Sequence, residues 1–98
     1  MTFSFDKERL AAISADGIPM GYIAFPLVRA GLVNISQVMT HPKFRGQHVE
    51  SAMMDALLPH LIQQNLKAAL TSPFAQQYVG SHPEWKSILP GELHFTKH

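Results

Sequence analysis

The sequence predicts an α+β fold: an antiparallel meander of three strands, one long helix, a further strand and a C-terminal helix. Three observations carry this. Turn signals at Asp16-Gly17 and at Arg29-Ala30-Gly31 divide the N-terminal part into strand-like runs. From Val49 the apolar period changes to the i, i+3, i+4 spacing of a helix. Beyond that helix, a short apolar run at 67–72 precedes Pro73, which suits the first turn of a second helix, and Gly80 suits its end.

Residues 3–14 mix polar and apolar positions and lead into the Asp16-Gly17 turn. "IPMGYIAFPLV" at 18–28 is rich in aromatic and branched residues and reads as the second strand. "LVNISQVMT" at 32–40 is the third. Val33, Ile35 and Val38 alternate there with polar Asn34, Ser36 and Gln37, and the alternation slips near Gln37-Val38, as it does at a bulge. In the long helix, Val49, Ala52, Met53, Ala56, Leu57 and Leu61 share one face. Met54, Leu58 and Ile62 widen it, which predicts a well-buried helix ending near Asn65. Pro59 removes one backbone bond and predicts a kink. It shares the polar side with Ser51 and Asp55, where a helix curving convex toward solvent tolerates it best. "KAALTS" reads as a buried strand, reached by a right-handed crossover. "PFAQQYVGSH" reads as the second helix and "HPEW" as a further short turn; the tail "ILPGELHFTKH" has no clear period.

The chain has 98 residues, enough for a single domain over 1–98 with one modest core. Apolar residues make up 46% and charged ones 15%, a globular composition. Without cysteine there is no disulfide framework and no thiolate metal site, and a cytoplasmic location is the expectation. "MTFSFDKERL" is not read as a signal peptide, and the apolar stretch around 18–28 is too short and too interrupted to span a bilayer. A formal charge of +1 suggests no nucleic-acid partner. His41, His48, His60 and His82 lack metal-ligand spacing, and His94 and His98, four apart, fall in a tail without helical period, so no metal site is expected. Met20, Met39, Met53 and Met54 read as core filler.

"VMTHPKFRGQHV" leading into a helix, followed by "LTSPFAQQYVGSHPEW", resembles the small single-domain members of the GCN5-related N-acetyltransferase (GNAT) superfamily, the YjdJ-type group. The resemblance runs from about Ile13 to Trp85. It implies a GNAT-like fold and acetyl transfer from acetyl-CoA to an amine, here of unknown identity. It implies that backbone groups of Val38, Met39 and Thr40 meet the pantetheine arm. It places the pyrophosphate on the loop Arg45, Gly46, Gln47, His48, Val49 and Glu50, with Ser51 just behind. The physics of such a loop is general: free N–H groups and the positive end of a helix dipole attract anions.

The chain departs from the family's loop pattern at two places. His48 stands where the pattern has glycine, and Glu50 where it has glycine or alanine. Glu50 reads as a favourable acidic residue at a helix start, and equally as a carboxylate that occupies the anion site and repels CoA. A protonated His48 would attract phosphate; an exposed loop histidine is the alternative. Relatives also often carry His where this chain has Gln37, and Cys where it has Ser72. Gln37 cannot act as a base. Ser72 is either a weak nucleophile or the cap of the helix that begins near Pro73. Tyr78 either protonates a departing thiolate or is a structural tyrosine. The alternative function is a GNAT-fold binding or interaction module without acetyl transfer. A stand-alone structural domain, working through an apolar surface or an oligomer, is a third reading.

Overall fold

In the computed structural model, which describes residues 1–90, seven strands and two helices follow in the order β1 (Thr2–Phe5), β2 (Arg9–Ile13), β3 (Pro19–Ala24), β4 (Leu27–Arg29), β5 (Leu32–Ile35), β6 (Gln37–Thr40), α1 (Val49–Gln63), β7 (Lys67–Leu70) and α2 (Pro73–Ser81). Short 3-10 turns at Pro42–Phe44 and Pro83–Ile88 follow β6 and α2. The predicted α+β arrangement is the observed one. The tail from 91 onward, with His94 and His98, lies outside the described residues.

Each of the three predicted strands divides. Residues 3–14 contain a hairpin, because the Asp6 carboxylate accepts the Glu8 N–H (2.8 Å) and turns the chain. The second run breaks at Phe25-Pro26, since proline cannot donate to a ladder. The third breaks at Ser36, beside the predicted slip. The halves then join different sheets: β1-β2-β3-β6 form one, β4-β5-β7 the other. All pairs are antiparallel except β5 with β7, which the long helix connects in parallel.

The core lies between α1 and the sheets. Val49, Met53, Met54, Leu57, Leu58 and Leu61 of α1 are fully buried against Leu10, Ile23, Phe25 and Ile35. Pro59 falls on the exposed side as predicted, whereas Ile62 is 46% exposed. The end of α1 is a Schellman motif: Asn65 adopts φ +57°, its N–H donates to Ile62 O, and the Leu66 N–H donates to Leu61 O. Met20, Met53 and Met54 fill the core, but Met39 does not. It is 49% exposed, because alternation along β6 turns it to the face opposite α1.

Candidate functional site

The break at Ser36 shapes the site. The N–H of Ser36 donates to Ala24 O (3.0 Å), and Gln37 also stands opposite Ala24, so two residues oppose one. Before the break, β5 lies beside β7. The Thr71 and Ser72 N–H groups both reach Ile35 O (3.2 and 3.0 Å), and there the pairing ends as the chain turns into α2. After the break, β6 stays with β3 and forms the border of its sheet. The two sheets therefore diverge from Ile35 onward.

The free edge of β6 has a defined chemistry. The His41 N–H donates to Met20 O (2.8 Å), and antiparallel bonds fall on every second residue. Gln37 and Met39 thus face β3, while Val38 and Thr40 aim their backbone N–H and C=O groups at the unpaired edge. The Thr40 hydroxyl oxygen is buried and has no hydrogen-bond partner among the described residues.

The chain then passes through the 3-10 turn, whose start is capped by the His41 ring accepting the Lys43 N–H (3.2 Å), into the loop before α1. Arg45 closes the turn. Gly46 adopts φ +83°, and His48 adopts φ +58°, in the left-handed region. The loop holds, at the position where the family pattern has glycine, the backbone for which glycine is used. The His48 side chain makes no capping bond. The first bond of α1 runs from Ala52 N–H to His48 O (3.0 Å), so the amides of Val49, Glu50 and Ser51 precede the helical ladder. Val49 is fully buried and anchors this turn; Glu50 is half-buried beside it.

The three predicted side chains for chemistry are not brought together by any hydrogen bond. Gln37 is exposed at the break, and its Oε1 accepts from the Tyr22 hydroxyl (3.2 Å). Arg9 stacks over the Tyr22 ring at 4.4 Å, so Arg9, Tyr22 and Gln37 form a row across the open sheet face. Sequence reasoning missed this row, since its residues come from three strands. Beside it lies a groove of about 380 Å3 walled by Tyr22, Met39, Thr40 and His41. Ser72 is 3% exposed, and its Oγ accepts the Ala75 N–H (3.3 Å), capping α2. Tyr78 is 6% exposed and donates its hydroxyl to Asp55 Oδ1 on α1. Burial, then the bond to Asp55 and its charge, push the Tyr78 phenol up to about 12, against a hydrogen bond from Trp85. The His82 ring stacks on Tyr78 at 4.1 Å and its Nδ1 lies 2.7 Å from Tyr78 O. Among the described residues no group of three or more His, Asp or Glu could hold a metal, and no helix is long and apolar enough to cross a membrane.

The family pattern described as GCN5-related N-acetyl-transferase matches residues 10–88. The chain belongs to the GCN5-related N-acetyltransferase family. No curated protein gives a match. Solved structures agree on the GNAT fold. A GCN5-like protein from Staphylococcus aureus superposes with a TM-score of 0.73 at 17% identity, over 92% of this chain and 88% of that one. A Mycobacterium tuberculosis protein solved with CoA gives 0.63 at 22% identity, over 79% of this chain and 48% of that one. A GNAT family N-acetyltransferase from Escherichia coli, also solved with CoA, gives 0.62 at 19%, over 76% and 47%. The GNAT chain described here thus spans about half the length of the latter two.

The geometry suits a CoA-type ligand in three respects. β6 offers an unpaired edge, Thr40 an orphaned hydroxyl, and the 45–51 loop a backbone of the required shape. Glu50, in the first turn of α1, opposes it electrostatically.

Proposed function

We propose that this GNAT protein is an acetyl-CoA-dependent N-acetyltransferase of the small YjdJ-type group, acting on an amine in the cytoplasm. The divergence of β6 from β7 carries the reading: it leaves a strand edge that leads directly to free amides at the start of a helix. Val38 and Thr40 pair with an extended amide-bearing arm. The amides of Val49, Glu50 and Ser51 face the diphosphate, and Arg45 adds charge at the loop. Acetyl-CoA, when bound, supplies the acyl group as a thioester.

The chain's own contribution is chiefly positioning, which lets an amine attack a thioester without an enzyme nucleophile. Ser72 serves as the α2 cap, with its hydroxyl accepting from Ala75. Tyr78 serves as a clasp between the helices, and with its phenol pushed up to about 12 it is a weaker acid than an ordinary tyrosine. Gln37 takes no proton. Its carboxamide stands exposed beside the break, where an N–H donor stabilises a developing oxyanion.

A second reading, a GNAT-fold binding module without acetyl transfer, is favoured by Glu50, whose carboxylate lies in the first turn of α1. Incubation with acetyl-CoA and a panel of primary amines separates the two. The enzyme reading predicts thiol release that depends on the amine, and an acetylated product by mass spectrometry. No CoA binding and no turnover on any amine would favour the module.

A further inference from the structure

The buried hydroxyl of Thr40 has no partner among the described residues. Oγ1 is shielded from solvent and makes no hydrogen bond among the described residues. Such a group carries the desolvation penalty of an unmade bond. Its place is set by pairing. Thr40 stands opposite Gly21, and a Cβ on Gly21 would lie 3.2 Å from both Thr40 Cα and Met53 Cε. Cross-strand partners share a face, so the Thr40 side chain lies on the α1 side of the sheet, at the free edge of β6. Thr40 as a residue is only half-buried, on the border strand of its sheet. A step between staggered χ1 wells re-aims the hydroxyl without moving the backbone.

We propose that Thr40 Oγ1 donates a hydrogen bond to an amide carbonyl of the pantetheine arm, adding a side-chain contact to the backbone contacts of β6. This rests on the CoA-binding reading above. The other side chains of the strand do not compete for the role. Val38 is apolar, and Gln37 and Met39 face the side opposite α1. The diphosphate is met later in the chain, beyond the 3-10 turn, so a donor at strand level faces the arm.

The test is calorimetric titration of CoA, and of ADP as a probe without the arm, into wild type, Thr40→Val and Thr40→Ser. Thr40→Val should weaken CoA binding roughly tenfold, the share of one hydrogen bond, and leave ADP unchanged. Thr40→Ser, which keeps the hydroxyl, should stay within about twofold of wild type. Ligand-free Thr40→Val should melt at or above the wild-type temperature, since an isosteric methyl replaces an orphaned hydroxyl. Unchanged CoA affinity in Thr40→Val would overturn the proposal. So would equal losses for CoA and ADP, or a loss accompanied by a lower ligand-free melting temperature. Failure of wild type to bind CoA would instead overturn the cofactor reading, and this inference with it.

Discussion

His48 holds a φ of +58° without a capping bond from its side chain, so the fold carries a left-handed residue that gains nothing locally in return. Such a conformation costs a non-glycine residue roughly 1–2 kcal/mol, partly offset in glycine by its greater chain entropy. His48→Gly should therefore stabilise the protein by about 0.5–1 kcal/mol in urea unfolding while leaving the loop shape intact. Glu50 acts on the same loop through charge. Glu50→Gln should tighten CoA binding roughly three- to tenfold at low salt, with the gain shrinking as salt rises. That these two positions depart from the family pattern is legible in the sequence. That the backbone keeps the glycine geometry is not, because residue type at His48 argues against it. The conformation sits between buried Val49 and, two residues earlier, Gly46 at φ +83°. Ser72 was the more readable residue: a serine before Pro73 has a simple local use as a helix cap, and the structure places it there.

Two close contacts between elements hold the site's frame. Strand β6 approaches β3 closely at Gly21, where a Cβ would collide with the Met39 carbonyl oxygen. Gly21→Ala should cost about 1–3 kcal/mol, and amide exchange should quicken first in β6. Helix α2 is clasped to α1 by the Tyr78–Asp55 bond. Folding raises the Tyr78 phenol from its ordinary 10 to about 12, mainly through burial, and so favours its neutral form. That contribution is complete below pH 10 and is lost as pH rises through about 12. The wild-type stability should fall over that interval by up to about 2–3 kcal/mol more than in Tyr78→Phe, in parallel denaturant titrations. At this scale the helices were the readable elements. The apolar face of α1, its solvent-side proline and its end near Asn65 all rest on local spacing. The first hairpin was hidden because its turn uses an Asp6 side-chain bond rather than a glycine.

Across the whole molecule, the proposed site depends on one run of residues, 32–40, serving two sheets. Its first half pairs with β4 and β7, its second with β3. The slip in alternation marked the break to within a residue or two. It did not reveal the divergence, which depends on partners far along the chain: β7 lies beyond the whole of α1. The same limit hid the Arg9–Tyr22–Gln37 row, which exists only once three strands lie side by side. A cavity of about 590 Å3, walled by Phe25, Val33, His60 and Leu66, lies toward the other end of α1 and includes none of the predicted cofactor residues. The proposed function makes the divergent edge and the helix-start loop two parts of one CoA site, so they should respond together. The direct test is a titration of acetyl-CoA and of free CoA followed by backbone amide NMR. The account predicts saturable shifts in the micromolar range, concentrated in 38–40 and 45–51 for both ligands. No shifts at millimolar cofactor, or shifts confined to the residues around the cavity at the far end of α1, would contradict it.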